Sequence, residues 1–201
     1  AVSTLPSISS LKGLRTMSRP SAATKPFLGF GAPVFTASTK IINASEKDLK
    51  SRTKTRQAVL NALSSLPATA DELQNIGRFL GAPQSSIILG SDASETEVKR
   101  RDLKKHRILV FATHGLTAGE RYGLDEPALA LTPGTKDDGI LTASEISQLK
   151  LDADWVILSA CNTAAGQDEK SEGLSGLARA FLYAGSRALL VSHWPVETKS
   201  A

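Results

Sequence analysis

The chain has 201 residues, of which 41% are hydrophobic and 22% charged, and this composition is that of a folded globular protein. Its length predicts a single domain over residues 1–201, no apolar run is long enough to cross a membrane, and the N-terminal residues carry no secretory signal. A single cysteine excludes an internal disulfide and a multi-thiolate zinc site. We therefore expect a cytoplasmic protein with no membrane segment, no metal and no other cofactor.

The positive charge lies mainly in the N-terminal part, where residues 1–60 hold ten Lys and Arg against two acidic residues. This part lacks the interleaved aromatic residues and the module signatures of nucleic-acid-binding proteins. A solvated basic surface is the better interpretation, and no nucleic acid partner is expected.

The first predicted element is a buried strand at residues 27–31, FLGFG, which ends in a glycine. Residues 37–66 are predicted as a loop followed by a helix. Thr69 and Glu72 have the spacing of a capping box at the start of the next helix. The apolar run SIILG at 86–90 is the second predicted strand.

The third strand is the most clearly marked element of the sequence. It follows a charged helix that begins with a second capping box, Ser94 and Glu97. The continuous apolar run RILVFATHG at 107–115 is typical of a strand covered on both faces, and this strand ends at His114. Residues 115–141 are rich in Gly, Pro and Asp, so they are predicted as a long loop that holds one short strand or hairpin.

The C-terminal part continues the alternation of helix and strand. A third capping box, Thr142 and Glu145, begins a short helix, and the fourth strand, WVILSA, leads directly into Cys161. A helix over 174–184, closed by a glycine, precedes a fifth strand, ALLVS. The alternation predicts an α/β fold, an open and mainly parallel β-sheet with helices on both faces.

His114 and Cys161 each follow a strand at the carboxyl edge of the predicted sheet, where ligands bind in open α/β proteins. Only a loop and one helix separate their strands, so we expect the strands to be neighbours and the two side chains to reach one substrate atom. A thiolate is a strong nucleophile, and imidazole can take up its proton near neutral pH. The backbone N–H groups of Gly115 and Cys161 are candidates for an oxyanion hole.

Several segments around these two residues, in the right order, closely resemble the CHAT domain, a bacterial caspase-like family that is often fused to tetratricopeptide repeats. The histidine also precedes the cysteine by about 50 residues, as it does in caspases. The resembling segments lie densely between residues 107 and 196: FATHG, DGILTASEI, WVILSACNTAAG, EGLSGLARAFLYAGSRALLVS and HWPV.

The resemblance implies a caspase-haemoglobinase fold, a His114/Cys161 dyad and cleavage of peptide bonds in a protein substrate. It also implies that the domain is incomplete at both ends and that repeat domains in the parent chain regulate it. His193 and Trp194 follow the last strand, and we expect them to line the substrate groove.

Carboxylates are frequent in the loops after the third and fourth strands, and few Lys or Arg accompany them. An acidic rim would attract a basic substrate side chain and disfavour Asp, although solvated loop charges are an equally good interpretation. On the first interpretation the enzyme cleaves after a basic residue, which Asp125 and Glu126 bind. The remaining rim residues are Glu120, Asp137, Asp138, Asp168, Glu169 and Glu172.

Two other functions are compatible with parts of this pattern. The same fold could serve as a catalytically silent interaction or signalling module, but both dyad residues are present. A doubly wound domain that binds a nucleotide or flavin is less consistent with the sequence, because no strand is followed by GxGxxG or GxxxxGK[ST].

Overall fold

The computed structural model describes residues 20–35, 56–119, 123–159 and 170–191. In these residues, five parallel strands form the main sheet in the order β2-β1-β3-β7-β8, and three antiparallel strands form a smaller sheet in the order β4-β5-β6. The strands are β1 (Lys25–Gly31), β2 (Ile87–Leu89), β3 (His106–Ala112), β4 (Gly115–Leu116), β5 (Ala128–Ala130), β6 (Ile140–Thr142), β7 (Trp155–Ser159) and β8 (Leu189–Val191).

Helices cover both faces of the main sheet, which confirms the predicted fold class. They are α1 (Ala68–Phe79), α2 (Glu95–Arg100), α3 (Ala143–Gln148) and α4 (Lys170–Ala184), and residues 56–61 are also helical. Three short 3-10 helices lie at Gln84–Ser86, Gly90–Asp92 and Leu103–Lys105. On one face Leu73 of α1 packs against Phe27 and Val110, and on the other face Phe181 of α4 packs among the larger core cluster.

The five predicted strands of the main sheet are confirmed, and each lies within one or two residues of its predicted bounds. The third and fourth predicted strands, β3 and β7, are adjacent in the sheet as predicted. They pair in parallel, and Ala112 lies opposite Ser159. Continuous apolar runs are reliable signals here because these strands are covered on both faces.

One of the three predicted capping boxes is complete. Thr142 and Glu145 exchange both hydrogen bonds at the start of α3, and Ser94 caps α2 by accepting from the backbone N–H of Glu97. The prediction for Thr69 and Glu72 is wrong, since α1 starts at Ala68 and Thr69 lies inside it. The Thr69 hydroxyl instead donates to the carbonyl of Leu66 and accepts from the N–H of Ala32.

The region predicted as a long loop contains more structure than expected. It holds the three strands of the smaller sheet, and residues 56–64 pack against this sheet through Val59 and Leu60. Each of these strands has only two or three residues, which is too short for hydrophobic periodicity to mark it.

The last described helix is closed as predicted. Gly185 follows α4 with φ of 113°, a conformation that L side chains rarely adopt. Among the described residues, no helix is both long and apolar enough to span a bilayer.

Candidate active site at the carboxyl edge

His114 lies between the two sheets, just beyond the carboxyl end of β3. Its backbone carbonyl accepts a 2.9 Å hydrogen bond from the N–H of Ala130 in β5. The preceding residue, Thr113, joins both sheets, because its N–H donates to the carbonyl of Ser159 and its hydroxyl donates to the carbonyl of Ala130. The His114 backbone is therefore fixed by neighbours on either side.

The His114 imidazole is 3% exposed, and its two nitrogens have different surroundings. Nε2 lies 2.8 Å from the backbone carbonyl of Ser64, in the segment that precedes α1, and the ring of Phe35 packs against it with centroids 5.6 Å apart. A carbonyl can only accept, so Nε2 carries the proton. Nδ1 is buried and has no hydrogen-bond partner among the described residues, so in the neutral ring it keeps a lone pair.

The pKa of His114 lies below its ordinary value of 6.5, because burial disfavours the imidazolium. The hydrogen bond to Ser64 acts in the opposite direction but is the smaller effect. The ring is therefore neutral near pH 7, which is the form that can accept a proton.

Beside β3, the end of β7 presents Ser159 to helix α1. The Ser159 hydroxyl donates a 2.6 Å hydrogen bond to Oε1 of Glu72, and Glu72 itself is half-buried. Side chains alternate along a strand, and Ile157 and Ser159 of β7 share the side of the sheet that α1 covers. Glu72 is thus a carboxylate at the same edge of the sheet as His114.

Gly115 begins β4 directly after His114. His114 and Ala130 form a hydrogen-bonded pair, so the next pair in the antiparallel ladder, Gly115 and Leu129, is of the non-hydrogen-bonded type. The N–H of Gly115 consequently points away from β5. Gly115 is buried, and as a glycine it has no side chain to block the approach of another group to its backbone.

Two carboxylates of the predicted acidic rim, Asp137 and Asp138, lie beside cations. Asp138 forms a 2.6 Å ion pair with Arg56, and Asp137 lies 3.9 Å from Nζ of Lys99 and accepts from the hydroxyl of Thr96. Few Lys or Arg lie in the loops themselves, but Arg56 and Lys99 reach these two carboxylates from distant parts of the chain.

The two carboxylates predicted to bind substrate differ in their surroundings. Glu126 accepts hydrogen bonds from the backbone N–H and the hydroxyl of Ser144, at 2.8 and 2.7 Å, and so holds the start of α3. Asp125 is exposed. Several predicted site residues lie outside the described residues or have undescribed side chains: Cys161, His193, Trp194, Glu120, Asp168, Glu169 and Glu172.

A second buried charge lies away from this edge, beneath the loop between β5 and β6. Glu95 is 3% exposed, receives the N–H of Gly139 at 3.2 Å and pairs with Lys99 at 2.5 Å. Burial raises the pKa of Glu95 to about 7 despite this pairing. The pKa of Lys99 is also raised, since its hydrogen bonds to Glu95 and Glu145 outweigh partial burial. The raised pKa of Glu95 favours its neutral form, whereas the raised pKa of Lys99 favours its charged form. Burial determines the state of Glu95, because the side chain of Lys99 is 36% exposed and can be hydrated.

Within the described part of the chain, no three His, Cys, Asp or Glu side chains are grouped closely enough to hold a metal ion. The site chemistry visible there consists of a neutral imidazole, a carboxylate bound to a serine and a buried glycine amide. These features define an α/β domain with a polar site at the carboxyl edge of a parallel sheet.

Comparison with known proteins then assigns the chain to a family. Residues 1–201 match the family model of the CHAT domain, and the chain belongs to that family, which is caspase-like and related to cysteine peptidases. The five-stranded parallel sheet agrees with a caspase-like fold. The chain is also similar to tetratricopeptide repeat protein 28 of Mus musculus, with 42% identity over 57 residues. That match covers 28% of this chain and 2% of the relative, so this chain spans a small fraction of the relative's length.

Sequence reasoning did not identify three residues that contact the site. Ser64 and Phe35 surround His114, but neither belongs to a recognisable motif. The spacing of Thr69 and Glu72 predicts a capping box, and nothing in that pattern indicates the contact of Glu72 with β7. No local signal in the sequence distinguishes these residues from other loop or helix residues.

Proposed function

We propose that this protein is a cysteine endopeptidase in which Cys161 is the nucleophile and His114 the general base. The observation that carries the proposal is the state of His114: a buried neutral imidazole at the carboxyl edge, with Nε2–H held by the Ser64 carbonyl and the Nδ1 lone pair unengaged among the described residues. Such a ring is prepared to take one proton at Nδ1.

The pairing of β3 with β7 supports Cys161 as the partner of His114. Ser159 lies opposite Ala112, and residues 161 and 114 each stand two positions further along their chains. A chain that continued in extended form beyond Ser159 would present residue 161 on the same side as Ser159, because side chains alternate along a strand.

In the proposed reaction, the thiol of Cys161 gives its proton to Nδ1 of His114, and the sulfur attacks the carbonyl carbon of the scissile peptide bond. The negative charge that develops on the carbonyl oxygen is stabilised by the N–H groups of Gly115 and Cys161. The carbon–nitrogen bond then breaks, and the departing amine receives the proton from His114. Water, deprotonated by the same imidazole, hydrolyses the thioester and regenerates the thiol.

The proposed substrate is a protein or peptide cut after a basic residue, with Asp125 and Glu126 on the rim of the site and His193 and Trp194 along the groove. Repeat domains in the parent chain are proposed regulators; a relative named for tetratricopeptide repeats supports their presence there. An acidic rim favours this specificity because it raises the local concentration of cationic segments.

The test compares Cys161→Ala, His114→Ala and the double variant in a fluorogenic peptide cleavage assay. Each single variant should lose nearly all activity, and the double variant should lose little more, because members of one catalytic unit are not additive. Circular dichroism checks that each variant remains folded. Folded variants that retain wild-type cleavage would refute the dyad and favour a catalytically silent module.

A further inference from the structure

Glu72 of helix α1 is a carboxylate at the carboxyl edge of the sheet for which the proposed reaction has no role. Its Oε1 accepts the 2.6 Å hydrogen bond from Ser159, two residues before Cys161 in the chain. Glu72 and Ser159 are 87 residues apart in sequence, so their contact is a product of tertiary packing.

The close approach of α1 to the sheet explains how Glu72 reaches this edge. Strand β1 carries Gly29 and Gly31 on its α1 face, and a Cβ on either would lie within 2.8 Å of Leu73, the residue after Glu72. Real Cβ atoms do not come so close to other heavy atoms. The missing side chains therefore allow α1 to lie nearer the sheet than residues with a Cβ would permit, and they bring Glu72 against the end of β7.

Within the described residues, Glu72 has no cationic partner, whereas three other carboxylates have one. Glu95 and Glu145 both pair with Lys99, and Asp138 pairs with Arg56. Among the described residues, the hydroxyl of Ser159 is the hydrogen-bond donor to Glu72, and no Lys, Arg or His forms an ion pair with it. A half-buried carboxylate with one oxygen engaged by a hydroxyl keeps acceptor capacity for a cation.

We propose that Glu72 is the residue that determines specificity for a basic substrate side chain, and this inference rests on the peptidase function proposed above. The hydroxyl of Ser159 fixes the carboxylate, so its remaining lone pairs have a defined direction. Arginine fits this arrangement better than lysine, because its planar guanidinium donates two parallel hydrogen bonds to one carboxylate. Glu126 is a weaker candidate than Glu72, because its carboxylate already accepts two hydrogen bonds from Ser144.

A binding experiment tests Glu72 without requiring cleavage. N-acetyl-arginine amide is titrated into the full 201-residue chain carrying Cys161→Ala, and N-acetyl-citrulline amide serves as the uncharged ligand of the same shape. NMR should show binding of the arginine compound near Ser159, and Glu72→Gln should weaken it about 10- to 100-fold, as expected for the loss of a charged hydrogen-bond partner. Asp71→Asn removes the neighbouring charge from an exposed position of the same helix and should change nothing.

Two further variants locate the site. Ser159→Ala keeps the Glu72 carboxylate but frees it, so arginine binding should weaken less than in Glu72→Gln. Glu126→Gln should weaken binding less than Glu72→Gln, because the Glu126 carboxylate already accepts two hydrogen bonds from Ser144. Equal binding of citrulline, unchanged binding in Glu72→Gln, or a larger loss in Glu126→Gln than in Glu72→Gln would each overturn the proposal.

A cleavage assay separates this inference from the proposed function. In peptides that end in Arg or Leu before the fluorogenic group, Glu72→Gln should lower kcat/KM for Arg and leave that for Leu unchanged. An active wild-type enzyme that shows the same Arg-to-Leu ratio as Glu72→Gln would refute the role of Glu72 and leave the peptidase function intact. A wild-type chain that binds the arginine compound through Glu72 but cleaves no peptide would refute the function and leave the binding role intact.

Discussion

The substitution Gly31→Ala tests whether the close contact of α1 with the sheet stabilises the fold and holds Glu72 in place. A Cβ at position 31 would lie 2.6 Å from Cδ1 of Leu73, 3.3 Å from Oγ1 of Thr69 and 3.4 Å from Cβ of Ala112. Leu73 cannot turn away freely, because it is fully buried against Phe27. The helix must therefore move outward by several tenths of an ångström or more.

The expected cost follows from two opposing effects. Overpacking of this kind costs about 1–3 kcal/mol, and the reduced freedom of the unfolded chain returns about 0.4–1 kcal/mol. The net loss in free energy of unfolding is about 1–2 kcal/mol, which lowers Tm by about 2–8 °C for a domain of this size. Because the shift moves α1 away from β7, binding of N-acetyl-arginine amide should weaken as well.

Thermal unfolding followed by circular dichroism measures the first effect. Gly134→Ala is the matched control, since a Cβ there would lie 3.7 Å from the nearest side-chain atom, Oγ1 of Thr96, and stability should change by less than about 0.5 kcal/mol. The double variant Gly31→Ala/Leu73→Val should lose less free energy of unfolding than the sum of the two single variants, by at least about 0.5 kcal/mol. A Gly31→Ala variant as stable as wild type, with unchanged arginine binding, would refute the packing argument.

Three further predictions concern other described residues. Burial raises the pKa of Glu95 to about 7, so its contribution to stability is full below the unfolded pKa of 4.5 and is lost as pH rises through 7. In urea unfolding, wild type should lose on the order of 1–3 kcal/mol between pH 5 and 8, and Glu95→Gln should remove this loss. The same pH profile in Glu95→Gln and wild type would contradict this prediction. Nitrogen-15 NMR of the chain, which has three histidines, should show His114 as the Nε2–H tautomer with a pKa below 6.5. The contribution of His114 to stability should therefore be lost as pH falls. A titration at the ordinary pKa with mixed tautomers would argue against the Ser64 contact. Thr142→Ala should lower the free energy of unfolding by about 0.5–2 kcal/mol through loss of the capping box, whereas Thr142→Ser should keep most of the wild-type stability. Equal losses in both variants would assign the effect to packing of the methyl group.

The sequence by itself determined the elements that depend on local patterns. Continuous apolar runs marked β1, β3 and β7 because strands covered on both faces need apolar side chains at every position. The Thr142 capping box was readable because its partners lie three residues apart. The position of His114 at a strand exit followed in the same way, from the end of an apolar run.

The tertiary structure alone decided which groups surround His114 and which carboxylates are neutralised. Nε2 of His114 meets a carbonyl 50 residues away, Arg56 reaches Asp138 across 82 residues, and Glu72 meets Ser159 across 87. Contacts at such separations depend on how helices and strands pack, and the same side chains would satisfy local rules equally well elsewhere. The spacing of Thr69 and Glu72 is that of a helix cap. The glycines of β1 instead allow α1 to lie so close to the sheet that Thr69 contacts Ala32, just after β1, and Glu72 contacts β7.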